Sequence, residues 1–339
     1  MERSVEVVII GAGTAGLAAM GQAKRAGKDF VLINGGELGT TCARVGCMPS
    51  KALIQVAHDL HRREVFGREG IEGGESLSAS LPDTLEHVRD MRDILVDRVL
   101  GHTTDQMGDE FIDGYARFIE PGVLQVGEDT ICAASIVVAC GTRPAVPPAW
   151  VDFGERVLTS DTIFEQEDLP DAIAVVGLGV IGLEIGQALA HLGVSVTGTD
   201  RLDTIAGLRD PDARRSAIEL MRRAFPIWLG HEVELFEDEG RIRVSAGEQA
   251  VVVDKVLAAM GRQSNLDWLA IENAGIELDA QGIPVFDKNT MRCGDRRVFI
   301  AGDISGIDQI LHEAADEGRI AGYNAAHTES VAFARKTPL

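Results

Sequence analysis

One local pattern occurs twice in this chain. Near the start, the apolar run Glu6-Val7-Val8-Ile9-Ile10 meets Gly11-Ala12-Gly13-Thr14-Ala15-Gly16. Much later, Ala172-Ile173-Ala174-Val175-Val176 meets Gly177-Leu178-Gly179-Val180-Ile181-Gly182. Each glycine set opens a helical stretch rich in Ala, Leu and Ile, and each helix leads to a second strand: Phe30-Val31-Leu32-Ile33 after the first, Val194-Ser195-Val196-Thr197 after the second. Glycines there let the backbone turn tightly and approach a pyrophosphate, whose charge is favoured at the helix N-terminus. A single GxGxxG run is weak; two, each in a strand–turn–helix setting, predict two dinucleotide sites. The fold class expected is α/β, with two doubly wound, Rossmann-like dinucleotide-binding domains.

The residue closing the second strand of such a unit reads the ribose. In the later unit it is Asp200, whose charge would repel the extra phosphate of NADP and so favours NAD; Arg201 beside it could accept that phosphate. In the earlier unit the position falls to Asn34, an amide in place of the usual acid that can still hydrogen-bond a hydroxyl. With 339 residues the chain is long enough for more than one domain. The expected division is residues 1–149, 150–270, a return to the first domain over 271–330, and a linker over 331–339. Thr142-Arg143-Pro144-Ala145-Val146-Pro147-Pro148 reads as the crossover, and residues 67–80 as an exposed loop. Leu85, Val88, Met91, Leu95 and Val99 recur at helical spacing and predict one apolar helix face. A β-rich patch is expected at Val233–Phe236, Arg241–Val244 and Val251–Ala258, and a further strand at Val298–Ile300.

Directly after the first unit comes Gly39-Thr40-Thr41-Cys42-Ala43-Arg44-Val45-Gly46-Cys47-Met48-Pro49-Ser50-Lys51. Cysteines five apart do not face each other on a regular helix, so joining them needs a break, which Gly46 permits. Pro49 suits the first turn of a helix running on to His58, and a thiol at such a start, with Lys51 nearby, has its thiolate favoured. Three readings stay open on the residues: a structural disulfide, a zinc site with His58 and His61, and a redox pair beside a dinucleotide. The other three cysteines, Cys132, Cys140 and Cys293, are scattered, and this sparse usage points to a reducing, cytoplasmic setting. A net charge of −21 argues against nucleic acid and anionic membranes as partners. No apolar run approaches the ~18 residues of a membrane span, and no leader peptide is visible.

Taken together, Gly11 to Gly16, Gly39 to Lys51, Val138 to Pro144, Gly177 to Glu184, Met260-Gly261-Arg262 and Ala301-Gly302-Asp303 resemble the class I pyridine nucleotide-disulfide oxidoreductases, and within them the dihydrolipoyl dehydrogenases most closely. Ser50 before Lys51 leans to the lipoamide branch, while Cys140 stands where that family usually has Thr. The resemblance implies that FAD occupies the first unit, with Gly11, Gly13, Thr14, Ala15, Gly16, Asn34, Thr41, Lys51, Tyr115, Ala116, Cys140, Gly141, Gly302 and Asp303 around it. It implies that NAD occupies the second, with Gly177, Gly179, Val180, Ile181, Glu184, Asp200 and Gly261. Cys47 would be the sulfur next to the flavin and Cys42 the one that exchanges with substrate. Lys51 and Glu184 would form an ion pair beside the flavin; no metal is implied.

The resemblance also implies a dithiol substrate, a small molecule or a lipoyl domain, and a homodimer for the full-length protein. In the family a further domain of roughly a hundred residues dimerises and supplies a His-Glu acid–base pair. None of the eight histidines here sits in such a motif, and Phe333 to Leu339 looks like the linker into it. The chain is therefore expected to be a fragment. It would turn over lipoamide poorly and keep NADH oxidation with artificial acceptors, which steady-state assay of both activities would test.

Overall fold

The computed structural model describes residues 2–335; Met1 and residues 336–339, the end of the expected linker, lie outside the described residues. The chain opens with β1 (Glu2–Ile10), α1 (Thr14–Arg25) and β2 (Phe30–Asn34). Then come α2 (Thr41–Arg44), α3 (Cys47–His61) and α4 (Leu81–Gly101). Five strands follow: β3 (Phe111–Asp113), β4 (Ala116–Glu120), β5 (Val123–Val126), β6 (Asp129–Val138) and β7 (Thr142–Pro144). The second glycine unit is built from β8 (Val157–Leu158), β9 (Ala172–Val176), α5 (Val180–His191) and β10 (Ser195–Asp200). After it come α6 (Pro211–Met221), β11 (Ile227–Leu229), β12 (Val233–Asp238), β13 (Arg241–Ala246), β14 (Gln249–Val253), β15 (Lys255–Ala258) and β16 (Arg262–Ser264). The described chain closes with β17 (Val298–Ile300) and α7 (Leu311–Ala326).

These elements form two compact units. The first comprises Met1–Cys42, Val96–Arg143 and Gln263–Leu339; the second comprises Ala43–Leu95 and Pro144–Arg262. In the first unit the sheet order is β3-β2-β1-β6-β5-β4, with β17 also paired to β6. The pairings β2–β3, β1–β2, β1–β6 and β6–β17 are parallel; β4 and β5 are added antiparallel. Along β1, Val8 and Ile10 enter one core and Val7 and Ile9 the other, which is why its run is apolar without alternation. On one face α1 and α7 approach so closely that a Cβ on Gly318 would fall 2.1 Å from the Ala15 carbonyl oxygen.

In the second unit the order is β11-β10-β9-β15-β8, parallel throughout. Ile173 and Val175 of β9 pack with Leu53 and Ala57 of α3 and Ile185 and Leu189 of α5. Ala174 and Val176 face Trp150 and the antiparallel sheet β12-β13-β14. The α/β class and the parallel sheets match the sequence expectation.

Two local expectations are corrected. The run Val251–Ala258 is two strands in different sheets. It breaks at Asp254, whose carboxylate accepts from the Ala172 amide (3.3 Å) and from Arg241 Nε (2.7 Å). On α4, Leu85 and Val88 are buried as expected, but Met91 is exposed and its neighbour Arg92 is buried in its place, paired with Glu165 and Asp93. Ion pairing let a guanidinium take the inward position that spacing assigned to an apolar side chain.

Candidate nucleotide and thiol sites

In the first unit, β1 lies between β2 and β6, so its C-terminal end is a topological switch point, where open α/β sheets bind ligands. Gly11 leaves the strand at φ +105°, and a Cβ there would meet the Ala139 carbonyl oxygen at 2.3 Å. Gly16 is equally fixed, since its Cβ would sit 1.8 Å from the Gly11 oxygen. Gly13 differs: it caps α1 without a side-chain hydrogen bond, and the space a Cβ would enter is open. A helix start with no side-chain cap and no atom within 4 Å of the Gly13 Cβ position fits a phosphate group. Asn34 Oδ1 accepts from the Ala12 amide (2.9 Å) while Nδ2 donates to the Gly36 carbonyl (2.9 Å).

The second unit repeats this arrangement. Its switch point is β9, between β10 and β15. Gly177 has φ +96° and a Cβ position 2.4 Å from the Ala259 oxygen; that of Gly182 lies 2.0 Å from the Gly177 oxygen; and Gly179 is an open, uncapped helix start. Asp200 accepts from the Leu178 amide at 2.6 Å and from the Leu202 amide at 2.9 Å. Asn34 and Asp200 therefore perform the same turn-closing task at the same sequence separation of 22 residues. The amide at position 34 keeps the acceptor role of an acid without its charge. Val180 and Ile181 are exposed on the first turn of α5, and Gly261, at φ +104°, accepts from the Ala145 amide (3.0 Å).

The remaining first-unit residues gather around the loops after β6 and β17. Thr142 Oγ1 donates to Asp303 Oδ2 (3.2 Å), and the carbonyl of Cys140, beside Gly141, accepts from Asn265 (2.9 Å). Gly114 bonds the Asn34 carbonyl (3.0 Å), bringing Tyr115 and Ala116 to the end of β2. Sequence reasoning missed Glu317. This buried carboxylate accepts from the Gly302 amide (2.8 Å) and from Ser305 (3.1 Å) and is paired with Arg335 (2.8 Å). Burial raises its proton affinity; the amide, Arg335 and Ser305 pull the other way. A lone Glu in a helical run carries no signal that it faces inward.

The cysteine segment takes the broken-helix form that its spacing requires. Cys42 lies on α2 at the edge of the first unit, half-buried; Cys47 opens α3 in the second, exposed. Between them Gly46 departs from helical geometry, at φ −114° and ψ −117°. Pro49 falls in the first turn of α3, and Ser50 Oγ bonds the Cys47 carbonyl (3.1 Å). Lys51, one turn further, meets Glu184 of α5 at 2.7 Å, so the expected ion pair is formed within one unit. His58 lies roughly 16 Å along α3 from Cys47, too far to share an ion with it. Instead His61 stacks on His191 at the end of α5, with ring centroids 3.8 Å apart. Burial pushes the thiols of Cys140 and Cys293 up to about 12, which keeps both protonated.

Two dinucleotide-type turns, with a helix that begins on a cysteine and pairs its lysine to the second turn's helix, are features of the class of two-nucleotide disulfide oxidoreductases. The chain belongs to the pyridine nucleotide-disulphide oxidoreductase family, whose model matches residues 5–328. FAD and a pyridine nucleotide are the cofactors of that family. A soluble pyridine nucleotide transhydrogenase of Mycobacterium tuberculosis is 29% identical over 95% of this chain and 71% of that protein. Dihydrolipoyl dehydrogenase 2 of Haloarcula marismortui is 30% identical over 97% of this chain and 71% of its own length. Among solved structures, the Cu(II) complex of the HOCl-induced flavoprotein disulfide reductase RclA from Escherichia coli superposes with a TM-score of 0.81 at 25% identity, covering 94% of this chain and 70% of that one. Among the described residues no helix is long and apolar enough to cross a membrane.

Proposed function

We propose that this chain passes two electrons between a dithiol substrate and NAD through FAD and the Cys42–Cys47 pair, in the manner of a dihydrolipoyl dehydrogenase. One observation carries the reading: Lys51 and Glu184, 133 residues apart, close a 2.7 Å ion pair between the cysteine helix and the nucleotide helix. A structural disulfide has no use for that connection.

The FAD site is assigned to the first glycine unit, from Gly11, Gly13, Thr14, Ala15, Gly16 and Asn34 to Gly302 and Asp303, with Thr41, Tyr115, Ala116, Cys140 and Gly141. The NAD site is assigned to the second, with Gly177, Gly179, Val180, Ile181, Glu184, Asp200 and Gly261. In the thiol half-reaction a substrate thiolate attacks Cys42 Sγ of the oxidised pair and Cys47 leaves as thiolate. The second substrate thiolate then displaces Cys42, giving substrate disulfide and a reduced pair. When bound, FAD and NAD supply the two-electron and hydride chemistry that carries those electrons onward. Lys51 holds positive charge near the start of α3, and Glu184 fixes the direction of its side chain.

Asp200 supports NAD over NADP, because its carboxylate is held by two backbone amides at the ribose position. A homodimer of the full-length protein and a cytoplasmic compartment belong to the same reading. The test is the visible spectrum of flavin-loaded protein with NADH, NADPH and a dithiol in turn. Bleaching by NADH and not by NADPH, with a long-wavelength band on adding dithiol, supports the dehydrogenase. Preferential bleaching by NADPH favours another disulfide or mercuric reductase, and protein that cannot be loaded with FAD favours a nucleotide-binding relic.

A further inference from the structure

Residues 331–335, in the stretch expected to be a linker, are docked within the first unit at three points. The Val331 amide donates to Asn324 Oδ1 (2.7 Å), and the Val331 carbonyl accepts from Asn324 Nδ2 (3.0 Å). The Phe333 amide donates to the Asn289 carbonyl (2.9 Å), and its ring meets that of Tyr323 edge-on, with centroids 5.2 Å apart. Arg335 then turns inward. A single nitrogen, Nη2, bonds both Glu313 and Glu317, which lie one turn apart on α7. The Arg335 side chain is 16% exposed and the two carboxylates 3% and 1%. Two buried like charges at that spacing repel, so they need a cation to stay ionised.

Glu317 stands where two parts of the first nucleotide site meet. Its two oxygens accept from the Gly302 amide (2.8 Å) and from Ser305 Oγ (3.1 Å), at either end of the turn that carries Asp303. A Cβ on Gly302 would fall 2.9 Å from Ala15 Cβ, and one on Gly318, next after Glu317, 2.1 Å from the Ala15 carbonyl oxygen. Ala15 lies in the first turn of α1. We propose that Arg335 is a positioning residue for the cofactor of the first unit: it holds the Glu317 carboxylate on the Gly302 amide and so keeps the Asp303 turn seated against the start of α1. The proposal rests on the assignment of FAD to that unit. An ion cluster so deeply buried is a poor source of stability, because apolar side chains of similar volume often do as well or better. What it supplies is direction: Nη2 fixes which way Glu317 points, and Glu317 fixes the turn. Arg335 acts through Glu317 and has no part in the thiol chemistry.

The experiment titrates flavin-free protein with FAD and follows amide hydrogen exchange of the flavin-free protein over the turn 302–305. NADH affinity and thermal unfolding are measured beside them. Arg335→Met is expected to weaken FAD about tenfold, the value of one hydrogen bond to a charged group. Exchange over 302–305 should speed up, with NADH affinity unchanged. Arg335→Lys should restore most of both, since one cationic nitrogen serves both carboxylates. Arg335→Met also leaves two buried carboxylates without a cation, which lowers the thermal midpoint. Adding Glu313→Met removes one of them: the midpoint should largely recover, while FAD affinity and exchange over 302–305 do not. If Arg335→Met does not fold, this double variant carries the test alone. Recovery of FAD affinity together with the midpoint in the double variant overturns the proposal, because it marks a general loss of structure. Wild-type FAD affinity in folded Arg335→Met overturns it too, as does an equal loss for NADH. Wild-type protein that binds no FAD overturns the assignment of the unit and the proposal with it.

Discussion

Gly13 and Gly16 are three residues apart and sit in opposite surroundings. Gly13 is extended, at φ −78° and ψ −177°, a conformation open to any residue, and nothing lies where its Cβ would be. Gly16 has no such room, with the Gly11 oxygen 1.8 Å from its Cβ position. Gly13→Ala is expected to leave unfolding of the flavin-free protein within about 0.5 kcal/mol of wild type, as for other surface changes, while FAD binding weakens at least about tenfold, or ~1.4 kcal/mol. Gly16→Ala should destabilise the folded protein itself by several kcal/mol, on the order of 3. Thermal unfolding beside FAD titration separates the two. Lys51 and Glu184 are too exposed for their pair to matter much to stability, so Lys51→Met should cost under about 1 kcal/mol. The dithiol-induced absorbance band should nevertheless weaken strongly, since its loss removes the charge beside the cysteines. The glycine turns, the break at Gly46 and the Lys51–Glu184 pair were legible in the sequence because each answers a local backbone or chemical demand. Glu317 was not, because its place depends on Gly302 and Arg335, which no local pattern ties to it.

The seam between α3 and α5 carries the Lys51–Glu184 pair, and two turns further along both helices it carries His58, His61 and His191. Burial holds the His191 imidazole below its usual range, and the charges of His61 and His58 add to that; Glu64 opposes them. The unfolded chain then binds a proton at higher pH than the folded one. Stability from this group is complete above the unfolded value of about 6.5 and is lost as pH falls from there toward the depressed folded value. His191→Gln should therefore make the fall in thermal midpoint between pH 7 and pH 5 shallower, with little change at pH 8; an unchanged slope would contradict this. The strand Ala172–Val176 has the bounds its apolar run predicts, whereas β1 begins at Glu2, four residues ahead of the expected run, and β10 continues to Asp200. Two places resisted. No sequence signal marks Asp254 as a corner between sheets, since its role is set by Arg241 and Ala172. On α4 the helical spacing was right, but its inward face was decided by Glu165, which draws Arg92 inward and leaves Met91 outside.

At the scale of the molecule, two units carry the same strand–glycine turn–helix design, and the segment from Thr41 to Lys51 carries Cys42 and Cys47. On the proposed assignment, Asp200 sets nucleotide choice in the second unit. Asp200→Ala removes the acceptor for Leu178 and Leu202 and, on that assignment, the charge that would exclude a second phosphate. NADH affinity should fall about tenfold, roughly 1.4 kcal/mol, while NADPH affinity rises toward it, as binding titrations would record. If Cys42 and Cys47 are the redox pair, electrons from NADH arrive at their sulfurs. Anaerobic addition of one equivalent of NADH to oxidised, flavin-loaded protein, followed by titration of reactive thiols, tests it most directly. Two new thiols per chain are expected, formed as NADH and a proton reduce the disulfide, and none in Cys42→Ser or Cys47→Ser. Flavin reduction by NADH with no gain in thiols would contradict it.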